Sequence, residues 1–111
     1  MPHIGHYYHK KPGFKQVGPW GFDRDRMWSK IDTTPDANGC WNSNSAMSPT
    51  GALMGAWKNG AQQMTQIRRL VQMDHTNEDI SDYQVTLTCG NQRCCNRDHF
   101  VLKPSNKRTQ L

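Results

Sequence analysis

Three side chains that hold soft or borderline metals crowd one polar stretch, Cys89-Gly-Asn-Gln-Arg-Cys94-Cys95-Asn-Arg-Asp-His99. Cys89 and Cys94 are five residues apart and His99 lies five beyond Cys94, a C-x4-C-x4-H pattern; a fourth candidate, Cys40, stands far upstream beside Trp41. Three thiolates and an imidazole can close a tetrahedral Cys3His site around zinc. Such a site would clamp residue 40 to the C-terminal loop, closing about fifty residues of chain, and metal binding of this kind is folding free energy. A disulfide pair, or a set of unrelated cysteines, is the alternative reading of the same residues. The spacing is more specific than four scattered cysteines.

A staple of this sort suits the composition. The chain has 111 residues, 34% of them apolar, and a mean hydropathy of −0.91. That is one domain with a thin core, a size at which a metal or disulfides often supplement packing. No apolar run approaches the ~20 residues of a membrane span. The start, Met-Pro-His-Ile-Gly-His, lacks the apolar core of a signal peptide, so secretion and membrane insertion are not expected. In a reducing cytoplasm, cysteines serve as ligands more readily than as disulfides.

The formal charge of +5 sits at the two ends. Residues 1–20 carry Lys10, Lys11 and Lys15 and no acid, giving +3. Residues 21–92 hold six Lys/Arg against eight Asp/Glu, giving −2. Residues 93–111 carry Arg93, Arg97, Lys103, Lys107 and Arg108 against Asp98, giving +4. Basic ends suit a polyanion, most simply nucleic acid, through counterion release; ordinary solvated cations give the same count. His3, His6, Tyr7, Tyr8, His9 and Phe14 are interleaved with the first lysines, and such arms stack on bases or pack on a protein neighbour. Pro2, Gly5, Pro12, Gly13, Gly18 and Pro19 break regular structure there. Residues 1–20 therefore read as an extended basic and aromatic arm, and 21–111 as the metal-binding domain.

Several elements must position the ligands. Phe22, Met27, Trp28 and Ile31 share one face of a short helix over 22–31, with Asp23 and Asp25 near its positive end. Thr33-Thr-Pro-Asp-Ala-Asn-Gly39 is turn chemistry that delivers Cys40-Trp41, and 42–50 is polar loop. Residues 51–58 and 61–66 flank Asn59-Gly60, the strongest short hairpin signal. Ile67, Leu70, Val71 and Asp74 have helical spacing, with Arg68 and Arg69 on the flank. Asp74, Glu78, Asp79 and Asp82 form an acidic connection, more a solvated turn than a calcium loop. Gln84 to Thr88 alternates as a strand entering the cysteine loop, Phe100 to Leu102 is the return strand, and Pro104 suits the first turn of a final short helix. The expected class is α+β.

A strand, a metal loop, a second strand and a helix form a ββα unit. Arg26-Met-Trp-Ser-Lys-Ile-Asp32, Pro35-Asp-Ala-Asn-Gly-Cys-Trp41 and Cys89 through Phe100 resemble the phage and intron HNH endonucleases, the zinc-stapled His-Me finger group that includes homing endonucleases. The resemblance spans about residues 22–107. It implies a small zinc-stapled ββα-metal domain in which Cys40, Cys89, Cys94 and His99 hold a structural zinc and Cys95 packs. It also implies a phage source, and a location in the infected cell's cytoplasm or the virion.

The catalytic pattern departs from that family. Its general base is a histidine two residues before the first loop cysteine, where this chain has Leu87; leucine takes no proton. The family's metal-binding asparagine, nine residues after the zinc histidine, falls on Arg108, with Asn106 two residues earlier. Its upstream His-Arg pair appears as Gln66/Ile67 and Arg68. The zinc frame is kept and no catalytic residue is assigned. The expected function is nucleic-acid binding, double-stranded DNA above all, through Lys10, Lys11, Lys15, Arg68, Arg69, Arg93, Arg97, Lys103, Lys107 and Arg108. The alternatives are a structural or interaction protein docking a protein assembly by its arm, and an active endonuclease with shifted catalytic residues.

Overall fold

A computed structural model describes residues 13–105. Among them are seven strands, two α-helices and one 3-10 turn: β1 (Phe14–Val17), β2 (Trp20–Asp23), α1 (Arg24–Ser29), β3 (Met47–Ser48), β4 (Gly51–Lys58), β5 (Ala61–Gln66), α2 (Ile67–Thr76), β6 (Tyr83–Leu87), the 3-10 turn Arg97–His99, and β7 (Phe100–Pro104). The first five strands make one antiparallel sheet in the order β1-β2-β4-β3, with β5 also on β4; β6 and β7 make a second, two-stranded sheet. The domain is α+β, with wholly antiparallel strands.

The β4–β5 hairpin is organised by its turn. Asn59 and Gly60 both take positive φ, 54° and 84°, the combination that matches strand twist in a two-residue turn. Along β4 the side chains of Ala52, Met54 and Ala56 are buried in alternation, so one face of the sheet is core. Onto that core α2 lays Ile67, Leu70, Val71 and Met73, all fully buried, a spacing that follows one helical stripe. Phe22 and Met27, also fully buried, complete it from β2 and α1. Each such side chain contributes roughly 1.5–3 kcal/mol on leaving water. Asn77, in the left-handed conformation at φ 60°, ends α2 with its N–H on the Met73 carbonyl.

Several sequence expectations are corrected. The supposed arm contains a strand: β1 pairs with β2 from Phe14↔Asp23 to Val17↔Trp20. Its two-residue turn is Gly18-Pro19, with Gly18 at φ 57°, the II′ pattern of a glycine first and a fixed negative φ second. The helix expected over 22–31 is shorter because Phe22 belongs to β2 and Asp23 caps it, accepting from the Arg26 N–H at 3.0 Å. The loop over 42–50 contributes β3 and bridges Asn42↔Cys94 and Ile31↔Ser43. Pro104 closes β7 opposite Tyr83 rather than opening a helix; residues 1–12 of the arm and the helix expected beyond 105 lie outside the described residues. None of the described helices is long and apolar enough to cross a membrane.

Asp74 is no part of a solvated acidic turn. It sits in the last turns of α2 with its side chain 6% exposed. Lys15 Nζ donates to its Oδ1 at 2.9 Å and to its carbonyl at 2.7 Å, Arg24 Nε to Oδ1 at 2.6 Å, and Trp28 Nε1 to Oδ2 at 3.1 Å. Burial pushes this carboxyl up, but the hydrogen bonds from Lys15, Trp28 and Arg24 outweigh it and hold the group below its ordinary value. One carboxylate thus ties β1, α1 and α2 together. Asp74→Asn is expected to destabilise the domain by about 3 kcal/mol, read by urea denaturation, because it leaves two cations facing a neutral amide. A folded pKa below the unfolded one gives stability that is present above about pH 4 and lost as pH falls through the folded value. The gap between parent and variant is therefore the same at pH 8 as at pH 5.5 and narrows only in stronger acid.

Candidate metal centre

Cys40 reaches the site on a turn braced by Asp36. Its Oδ1 accepts the N–H groups of Asn38 and Cys40 at 2.8 and 3.0 Å, and its Oδ2 accepts from the Asn42 amide at 3.0 Å. Those bonds, Asn42's first, hold Asp36 below the usual carboxylate range. The loop between β6 and β7 is sewn to this turn. Cys95 N–H donates to the Trp41 carbonyl at 2.7 Å, the Asn91 amide to Asn42 Oδ1 at 2.7 Å, and the Asn96 amide to the Gly39 carbonyl at 2.8 Å. Asn96 also caps the 3-10 turn that presents His99, accepting from the Asp98 N–H.

The result brings the four expected ligands together. The donor atoms of Cys40, Cys89, Cys94 and His99 all lie within 4.8 Å of one another. His99 Nδ1 is 3.3 Å from Cys94 Sγ and 3.7 Å from Cys40 Sγ. Tetrahedral zinc, at about 2.3 Å to sulfur and 2.0–2.1 Å to nitrogen, requires S···N edges of about 3.6 Å. The residues present fit such an ion, with Nδ1 as the imidazole donor and the neutral ring's proton on Nε2. Gly39, at φ 80°, stands beside this ring: a Cβ added there would lie 3.6 Å from its Cε1 and Nε2.

Burial pushes the Cys94 thiol up to about 12, and the neighbouring Cys40 and Cys89 thiols push the same way. A bound divalent ion would reverse that balance at Cys94 and displace its proton. Cys95, buried beside them, is also pushed up to about 12, chiefly by burial and then by Cys94, with Arg68 opposing. Its Sγ approaches the Arg93 carbonyl at 3.8 Å. It behaves as a small packing group.

Four of the ten cations assigned to phosphates from sequence make bonds within the fold. Lys15 is held by Asp74. Arg68 Nε donates to the Val85 carbonyl at 2.8 Å and its NH1 to Gln92 Oε1 at 3.1 Å. Arg69 donates to the carbonyls of Tyr83 and Ile80 at 2.6 and 2.9 Å, and Arg93 to those of Ser43 and Ser45 at 3.0 and 3.4 Å. Arg97 and Lys103 are exposed. Lys10, Lys11, Lys107 and Arg108 lie outside the described residues. Leu87, half-buried at the end of β6, pairs with Phe100 at the mouth of the metal loop. Sequence reasoning missed the bracing role of Asp36, although Asp-x-Asn four residues before Cys40 is an Asx-turn signal.

Fold and site together define a small α+β domain, mostly antiparallel strands with two helices, whose Cys3His cluster can bind a metal ion such as zinc. Comparison with protein-family models, curated proteins and solved structures finds no match.

The expected stoichiometry is one divalent ion per chain, measured by elemental analysis of the purified protein. Cys40→Ser loses the ion and the cooperative unfolding transition with it, while Cys95→Ser keeps both. Because thiol protons must leave, affinity falls as pH is lowered; affinity independent of pH between 6 and 8 would count against thiolate ligation.

Proposed function

We propose that this chain is a zinc-stapled, HNH-like nucleic-acid-binding domain, of phage type, from which the hydrolytic chemistry has been lost. The observation that carries this reading is the Cys3His cluster that Cys40 forms with the loop between β6 and β7, with Leu87 at the end of β6 two residues before Cys89. A structural zinc there serves as a staple: four protein donors close the tetrahedron and leave no position for water. A hydrocarbon side chain stands at the position that the resemblance gives to the general base, so no proton acceptor is available from residue 87. The family's asparagine position falls on Arg108 in the sequence, and a guanidinium is no ligand for the cation that phosphodiester hydrolysis needs.

Binding falls to the cations that the fold does not use internally. Arg97 and Lys103 are exposed on the metal loop and β7, and the chain adds Lys10, Lys11, Lys107 and Arg108 near its ends. Contacts of this kind are to phosphate and carry affinity rather than sequence. Lys15, Arg68, Arg69 and Arg93 serve the fold first.

Duplex DNA binding is expected to weaken with salt, and Lys10→Ala with Lys11→Ala to lower the log–log slope by about 2 if both contact phosphate. Tight, salt-insensitive capture of a protein with no DNA binding would replace this reading with that of an interaction module. No cleavage above a metal-only control is expected with magnesium or manganese. Base loss alone costs ~10²–10⁴-fold, so Leu87→His is not sufficient, whereas Leu87→His with Arg108→Asn restores both groups. Chelator-sensitive nicking by the parent, absent in Cys89→Ser, would show a base elsewhere in the chain.

A further inference from the structure

A cleft of about 610 Å³ opens between α1, α2 and the outer side of the metal loop, away from Leu87. Trp28 and Trp41 line it as an edge-to-face pair, ring centroids 6.4 Å apart at 66°. Both indoles are half-buried, so each has surface in contact with the cleft. Two guanidinium groups line the same space, Arg24 from α1 and Arg97 from the 3-10 turn, and both residues are exposed. Of the two acids present, Asp74 is already neutralised by Lys15 and Arg24, which leaves Asp98 as the opposing charge.

The volume lies within the range of small-molecule sites. Its chemistry, two half-buried indoles set at an angle with the Arg97 guanidinium beside them, is that of a site for a π-face attached to an anion. We infer that this cleft holds one unstacked nucleotide, its base against the open face of one indole of the Trp28–Trp41 pair and its phosphate on Arg97, with Arg24, already paired to Asp74, at the margin. The inference deepens the nucleic-acid reading and rests on it. It adds a preference that phosphate contacts alone do not give: unpaired over fully paired strands. The shared ligand chemistry is a nucleobase with its phosphate, either as a free nucleotide or within a strand.

The test uses the full-length, zinc-loaded protein and fluorescence anisotropy with a labelled oligothymidylate, an abasic strand of equal length and a duplex of equal length. The oligothymidylate is expected to bind about 5- to 150-fold tighter than the abasic strand. Trp41→Leu collapses that ratio towards one. Should that variant fail to fold, Arg97→Gln, an exposed change outside the metal ligands, still weakens oligothymidylate binding and lowers its salt slope by about 0.7. Competition by thymidine monophosphate at comparable concentration would assign the cleft to free nucleotides, and competition by strands alone would assign it to nucleic acid; either upholds the site. Equal affinity for base-bearing and abasic strands, with duplex binding intact, overturns the cleft and leaves the nucleic-acid reading standing. No binding to any of the three overturns both.

Discussion

The apposition of Cys40 with the loop between β6 and β7 is the constraint on which the rest of this domain depends. The sheet and α2 bury a compact apolar set, but Cys40, the 42–50 loop and the metal loop offer little hydrocarbon of their own. What holds them is polar: the Asn42↔Cys94 bridge, the amide bonds from Asn91 and Asn96, and the gathering of three sulfurs and one imidazole nitrogen. Each of those bonds is worth about 1 kcal/mol net, too little to offset the ordering of two long loops. A metal at the cluster changes the sum, because its binding energy is available only when both loops are in place.

How much of this could be read from sequence depended on how local the signal was. Asn59-Gly60 fixed its hairpin because both positions need positive φ and few residue pairs accept it. The helical stripe Ile67, Leu70, Val71 was legible for the same reason, as was the C-x4-C-x4-H pattern; Cys40 was a candidate fourth ligand by its residue type, and the fold brings it to the other three. β1 was hidden. Pro12, Gly13, Gly18 and Pro19 look like breakers, yet Gly18-Pro19 is itself the hairpin turn and Gly13 only the entry to the strand. Asp74 was half-legible: its spacing from Leu70 and Val71 puts it on the buried stripe, but a run of acids nearby drew it towards the surface. Its partners, Lys15, Arg24 and Trp28, lie about fifty residues away, and no local pattern announces a contact of that range.

The basic residues show the same limit. Counting charge at the ends treats every cation as free, whereas this fold uses guanidinium groups to complete its backbone. Among the described residues β6 pairs with β7 alone, and Arg68 and Arg69 bind the carbonyls of Val85 and Tyr83 in β6 and of Ile80 just before it. Two side chains do there what a further strand would do, and they blunt an edge that could otherwise template another chain. Burial holds both arginines below their ordinary pKa, a cost set against the carbonyls their donors meet. Gly51, at φ 128°, belongs to this arrangement: a Cβ there would stand 2.5 Å from Arg68 NH1. Its own backbone conformation favours glycine, and a larger residue would also make the Arg68 guanidinium shift.

The two long-range ties, the thiol cluster and Asp74, are joined by a short row of contacts. Cys40 leads directly into Trp41, which meets Trp28 edge to face, and Trp28 Nε1 donates to Asp74, whose other oxygen holds Lys15 and Arg24. A loop released at Cys40 would therefore free Trp41, remove the edge contact that orients Trp28, and leave Asp74 with one donor less. Aromatic pairs of this kind add about 0.5–1.5 kcal/mol beyond the area they bury, and a buried carboxylate is sensitive to each donor it loses. The same row of contacts links the cysteine loop to the β1–β2 hairpin at the opposite end of the sequence. The two indoles of that row also line the cleft bordered by Arg24 and Arg97, so the wall of the cleft and the turn that carries Cys40 are parts of one contact network.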